Sequence, residues 1–282
     1  MESARQFALI VCVAVSTSQA ACIASTELDG LEGEDELVEE VQQEIVVYNA
    51  LTHNALTHNA LTYNALTHNA LTHNALTHNG LIGNPFTSEA LRDPESRELL
   101  SFIVSCALPE DEKITVEVDR RSYTFVGELG LAPEWGRRNG SCGEKCQEWV
   151  SACLLSRVNY RGEHVPISLR GKNDALSSTR RERDTYEEPE ATYYGNVFLK
   201  NQRRFACLAP GQRSIPRVCG PSIDDCVVDI VGKCEDVCDG PRQDGSYTDC
   251  RDRKPLLKLP CGTRIFPLGT DSYKASVSVF LE

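Results

Sequence analysis

The sequence predicts a disulfide-rich α+β domain carried behind an export signal, an acidic spacer and a block of short repeats. Three observations lead there. Six near-identical pentapeptides, Asn-Ala-Leu-Thr-His, run from Asn49 to His78, with Tyr63 the only deviation. Thirteen cysteines occur in 282 residues, and all but Cys12 and Cys22 follow the repeats. The region that holds them mixes helical and strand periodicities with Gly- and Pro-containing connections, the pattern of an α+β fold.

Residues 1–21 read as a secretory signal. Arg5 supplies a basic start, Phe7 to Val15 form an apolar run of nine residues, and small residues end at Ala20-Ala21. Such a run is well short of the roughly 20 residues that span a bilayer as a helix. Cys22 follows directly and resembles the lipidation site of bacterial lipoproteins, with Gln19 where that site usually carries an aliphatic residue. Parity leaves two alternatives. If Cys22 is lipidated, eleven cysteines remain after Cys12 and Cys22 are set aside, and one thiol lacks an intramolecular partner. If Cys22 is free, the mature chain has twelve cysteines, enough for six disulfides.

Residues 22–47 form an acidic spacer. From Glu27 to Glu44 there are nine carboxylates and no Lys or Arg, so much of the formal net charge of −12 is concentrated there. Such a segment repels itself and stays extended. Leu37, Val38, Val41 and Ile45 also fit one face of a short helix. The acidity excludes nucleic acid and anionic membrane surfaces as partners. Membrane contact is expected only through a lipid on Cys22.

Repeats occupy residues 48–86. On an α-helix a five-residue step turns about 140° past a full turn, so the leucines would spiral around it. On a strand an odd step sends alternate leucines to opposite faces. A square coil with one pentapeptide per side brings Leu51, Leu56, Leu61, Leu66, Leu71, Leu76, Leu81 and Phe86 to its axis. This central Leu or Phe resembles the pentapeptide-repeat family, which implies a short right-handed β-helix. The order Asn then Ala ahead of the centre reverses that family's preference. A flexible repeat stalk is the other reading. Five of the six histidines lie here: His53, His58, His68, His73 and His78. In a square coil only positions twenty residues apart stack, so His53 meets His73 and His58 meets His78. Two imidazoles fall short of the four ligands of a structural zinc site, so no metal is expected. The repeats carry no carboxylate, which excludes the DNA mimicry of long acidic family members.

Residues 87–282 form the cysteine-rich domain, long enough to bury a core of its own. Asp93-Pro94 marks a helix start that Pro109 ends, with Leu99, Phe102, Ile103 and Cys106 at helical spacing. Residues 114–126 read as a hairpin with Arg120-Arg121 near its turn. A second helix is predicted over 143–158, where Cys142, Cys146, Trp149 and Cys153 share a stripe. Cys142 and Cys146 lie one turn apart and are expected to bridge to other elements rather than to each other. Short strands follow over 165–169, 191–199 and 204–208, and 274–281 closes the domain. Between Cys207 and Cys261 the chain is a loop-rich, stapled lobe. The disulfide candidates are Cys106, Cys142, Cys146, Cys153, Cys207, Cys219, Cys226, Cys234, Cys238, Cys250 and Cys261. Cys142-x3-Cys146 and Cys234-x3-Cys238 also have ligand spacing, but an exported chain meets an oxidising compartment that favours disulfides.

Catalytic leads are sparse. Cys142 before a helix, with His164 as the one histidine outside the repeats, superficially matches a thiolate mechanism. Glu187, Glu188 and Glu190 near Tyr193-Tyr194 contain the groups of a sugar site. Asp239, Asp244, Asp249 and Asp252 contain oxygen ligands for calcium, without the EF-hand pattern. Trp149-Val-Ser-Ala-Cys153 and Tyr193-Tyr194-Gly195-Asn196, behind Asn-x-Leu repeats, resemble a group of uncharacterised exported bacterial proteins. That resemblance implies a surface-anchored protein and brings no activity. The expectation is therefore an exported structural or binding protein of the cell envelope, without a catalytic site or cofactor, and with an unidentified protein or envelope partner. The alternative is a secreted hydrolase with its site in the cysteine-rich domain.

Overall fold

The computed structural model describes residues 46–49, 51–52, 91–137, 140–160, 164–199, 201–221, 226–253 and 268–282. Two short strands come first, β1 (Val46–Asn49) and β2 (Leu51–Thr52). They take in residues that the sequence assigns to the end of the spacer and the first repeat. No coil of repeats is seen among the described residues. The signal, Cys22, the five repeat histidines, the leucines from Leu56 to Leu81, Phe86 and Cys261 lie outside them.

Helix α1 (Pro94–Ala107) starts as the sequence predicts. Asp93 caps it, accepting hydrogen bonds from Glu95 N at 3.3 Å and Ser96 Oγ at 3.0 Å, and Pro94 opens the first turn. Leu99, Leu100, Ile103 and Cys106 are buried. The helix ends where Leu108 is extended ahead of Pro109, since a residue before proline disfavours the α conformation. Strands β3 (Lys113–Val118) and β4 (Arg121–Val126) form the expected hairpin. Its two-residue loop is Asp119-Arg120, both at positive φ, as a type I′ turn requires.

Helix α2 (Glu144–Ser156) follows, then β5 (Val158–Asn159), β6 (Val165–Arg170), α3 (Arg180–Thr185), β7 (Glu188–Asn196) and β8 (Arg203–Leu208). The last elements are α4 (Pro216–Cys219), β9 (Asp229–Lys233), α5 (Cys234–Val237), β10 (Cys250–Arg253), β11 (Leu268–Tyr273) and β12 (Ser276–Leu281). Six strands make the main sheet in the order β1-β6-β12-β7-β8-β9. All its pairs are antiparallel except β8 with β9. No helix among the described residues is long and apolar enough to cross a membrane.

The sheet separates two apolar cores, because successive strand residues point to opposite faces. On one face Ile167, Leu169, Ala191, Tyr193, Ala206, Val277 and Val279 join the residues of α1 and α2. On the other, Tyr194, Phe205 and Cys207 meet Cys234, Val237, Tyr247, Cys250 and Tyr273 of the cysteine-rich lobe. Strand β7 is consequently buried along almost its whole length instead of alternating.

Five disulfides staple the described residues: Cys106–Cys153, Cys142–Cys146, Cys207–Cys234, Cys219–Cys226 and Cys238–Cys250. The first joins α1 to α2. The second corrects the sequence expectation that Cys142 and Cys146 bridge elsewhere. Cys142 stands before the extended helix cap Gly143, outside the helix. Its backbone is therefore free of helical geometry and folds back over the first turn, with a Cα–Cα distance of 5.2 Å. The buried Gln147 amide donates to the Cys142 carbonyl at 3.1 Å and holds it there.

Loop size ranks these staples. With a sequence separation of 47, Cys106–Cys153 removes about 4 kcal/mol of unfolded-chain entropy on the chain-entropy scale. With a separation of 4, Cys142–Cys146 removes about 2 kcal/mol. Urea unfolding of the paired variants Cys106→Ala/Cys153→Ala and Cys142→Ala/Cys146→Ala is expected to give the larger loss for the first pair. Equal losses would show that loop closure does not set the ranking.

Candidate binding cleft

A cleft of about 620 Å³ is lined by polar and charged side chains from two segments distant in sequence. One wall is the segment from Gly171 to Ser178 with Arg183, and the other is the turn Arg242-Gln243-Asp244.

The first wall is built by capping. Strand β6 ends at Arg170, and the chain turns at Gly171, where a Cβ would stand 2.8 Å from the Ser276 carbonyl. Asn173 accepts from Ala175 N at 3.0 Å and starts a 3-10 turn, Asp174–Leu176, whose buried Leu176 anchors it. Thr179 then caps α3 by accepting from Glu182 N at 3.0 Å. The buried Glu182 carboxylate accepts from Ser168 Oγ at 2.6 Å, and the Arg183 guanidinium donates to the Ser178 carbonyl. The second wall is an Asx turn: Asp244 accepts from Ser246 N at 3.0 Å and Ser246 Oγ at 2.7 Å. Gly245 sits at positive φ, where a Cβ would meet the Phe280 ring at 2.9 Å.

Arg170, directly before the first wall in the chain, reaches the second. Its guanidinium lies 3.7 Å over the Phe280 ring and donates to Ser168 Oγ at 3.0 Å, the Tyr186 carbonyl at 2.6 Å and the Asp244 carbonyl at 3.0 Å. Burial pushes its pKa down, and the charges of Glu182 and Asp244 oppose that. Lys172, Arg183 and Arg242 bring three cations to the lining against two carboxylates, Asp174 and Asp244. No histidine or cysteine lines it. The arrangement supplies hydrogen-bond donors and positive charge.

The residues singled out in the sequence lie elsewhere, apart from Asp244. The sulfur of Cys142 is bonded to Cys146, which removes it as a thiolate, and His164 is exposed at the start of β6. Tyr193 and Tyr194 are both fully buried, on opposite faces of the sheet, and so offer no sugar platform. Glu187 and Glu188 are exposed, whereas Glu190 is buried in an ion pair with Arg217. The β12 register skips Glu190 between Pro189 and Ala191, and the bulge turns its side chain towards Tyr193, whose hydroxyl donates to it at 3.0 Å. The four aspartates do not form one loop site. Asp239 bridges backbone to backbone with Thr248, Asp249 accepts from Thr248 Oγ1 at 3.2 Å, and Asp252 is buried against Arg203 at 3.2 Å. Nothing in the sequence marks Arg170, Lys172, Arg183 and Arg242 as neighbours. The run Gly171-Lys172-Asn173-Asp174 signals a turn, but nothing in it shows that the turn faces residues seventy positions later.

A second titratable group stands apart from the cleft. Glu148, half-buried on α2, is pushed up to about 7 by burial and by Glu144, against the hydrogen bond from Ala275 N. Burial and the nearby carboxylates Asp252, Asp271 and Glu148 push Tyr273 up to about 12, against Arg203. No family model, curated protein or solved structure matches the chain.

Because folded Glu148 keeps its proton to about pH 7 while its ordinary value is 4.5, the native state binds the extra proton. Its stabilising effect is complete at low pH and is lost as pH rises through about 7. Glu148→Gln is expected to raise stability at pH 8 by about 1 kcal/mol, discounted for partial exposure, and to be near neutral at pH 4. Denaturant titrations at both pH values check this, and an equal effect at both would refute the linkage.

Proposed function

We propose that the chain is an exported, surface-anchored binding protein whose cleft holds a small, hydroxyl-rich ligand bearing a carboxylate, of the acidic-sugar class. The observation that carries the reading is Arg170, which precedes one wall in the chain and donates to the Asp244 carbonyl of the other, so that the cleft is preformed. Preformed polar sites bind without the cost of ordering loops. Guanidinium groups match carboxylates in charge and in planar geometry. Arg183 and Arg242 stand in the lining with Lys172, while Asn173, Gln243 and Ser177 supply groups for hydroxyls. This local excess of cations contrasts with the net charge of −12 of the whole chain. Five disulfides fit an oxidising, exported environment. The anchor is a lipid on Cys22, directly after the small residues that end the signal.

Calorimetry with sodium glucuronate, and with glucose as its neutral counterpart, tests the cleft. Glucuronate is expected to bind and glucose to bind far more weakly. Lys172→Glu with Arg242→Glu, both exposed side chains, is expected to weaken glucuronate by roughly tenfold or more without a change in thermal midpoint. Equal affinities for the two sugars, or none, would sink the acidic-ligand reading. Intact mass of the mature protein tests the anchor separately: the expected species begins at Cys22 and carries an acyl-glyceryl group, and an unmodified Cys22 would remove it.

A further inference from the structure

Two disulfides of the lobe pack against each other. Cys207 Sγ lies 3.6 Å from Cys238 Sγ, although each is bonded to another partner, Cys234 and Cys250 respectively. The sulfurs of Cys207, Cys238 and Cys250 all lie within 4.8 Å of one another. Cys207, Cys234 and Cys250 are fully buried, while Cys238 is part-exposed. Cys238 sits at the end of α5, between exposed Asp236 and Asp239. Thiol–disulfide exchange depends on access and on which sulfur is attacked. Here the one part-exposed cysteine of the group has a second disulfide packed against its sulfur.

We propose that Cys238 is a covalent capture site for small cationic thiols, and that the Cys207–Cys234 disulfide makes the capture persistent. The incoming thiolate attacks Cys238 Sγ and forms a mixed disulfide there. The Cys238–Cys250 bond breaks, and its electron pair leaves on Cys250. That thiolate is buried, and removal from water penalises its charge. It therefore attacks Cys207 Sγ, forming Cys207–Cys250 and breaking Cys207–Cys234. Cys234 leaves as the thiolate and takes up the proton that the incoming thiol gave up. A protonated cysteine is among the most readily buried side chains, so the sequence ends on a tolerated group. Two disulfides are present before and two after, one of them now to the ligand, and no external oxidant or reductant enters. Asp236 and Asp239, exposed acidic residues on either side of Cys238 in the sequence, are the basis for preferring a cationic thiol.

The full mature chain incubated with cysteamine, quenched with acid and mapped by peptide mass spectrometry tests the proposal. The expected product carries one cysteamine on Cys238, a Cys207–Cys250 disulfide and an alkylatable thiol at Cys234. A Cys207→Ala/Cys234→Ala variant is expected to form the adduct but to leave Cys250 as the alkylatable thiol and to lose the adduct faster on dilution. The wild-type map decides the question even if that variant does not fold. Absence of an adduct at Cys238 overturns the capture site. An adduct with Cys207–Cys234 intact and Cys250 free overturns the relay.

Discussion

Strand β7 buries both of its faces, and the rest of the domain is arranged around that constraint. An antiparallel sheet often leaves one face to water. Here Tyr193 turns into the core shared with α1 and α2, and Tyr194 turns into the lobe, where its hydroxyl donates to the Arg251 carbonyl at 3.0 Å. The lobe thus supplies a second apolar cover for the sheet, and its disulfides hold that cover in place. Tyr194, Phe205 and Tyr273 pack with tilted rings at centroid separations of 5.7–5.8 Å across the same face.

Buried arginines fasten the loops that lie over this frame. Arg157, at the end of α2, donates to Ser105 Oγ at 2.7 Å and Glu128 at 2.9 Å, tying α2 to the segment that follows the hairpin. Arg217, on α4, pairs with Glu190 and donates to the Val158 carbonyl at 2.6 Å. Burial works against its charge, but Glu190 and Tyr193 more than offset that and raise its pKa. Arg170 does the same for the walls of the cleft. In each case one guanidinium reaches two or more segments that are distant in sequence, which a rigid fork of five donors permits and a lysine does not. Removing one partner of such a pair leaves a buried charge uncompensated, so these contacts define the loop positions.

Much of the framework was legible in the residues. The cap Asp93-Pro94, the stop before Pro109 and the Trp149-to-Cys153 stripe locate two helices to within a few positions. The hairpin and the closing strand were equally plain, because their apolar residues alternate. For β7 the sequence predicts a strand over 191–199, about three residues later than Glu188–Asn196. A strand buried on both faces carries no alternation, and the bulge at Glu190 breaks what little period remains. Cys142–Cys146 departs from the sequence expectation because Cys142 lies outside the helix, across the cap at Gly143. The cleft was not legible: its walls come from segments near residues 171–183 and 242–244, and their meeting depends on Arg170 and Phe280.

By itself, the sequence determined the five-residue repeat period, the mixed α+β character and the disulfide-rich character of the domain, since each follows from composition or from spacing along the chain. Only the tertiary structure decided which cysteines pair, which tyrosine faces which core and which cations line a common cleft. Those outcomes depend on contacts between residues far apart in sequence. Local propensity places a strand or a helix, but long-range packing selects its neighbours.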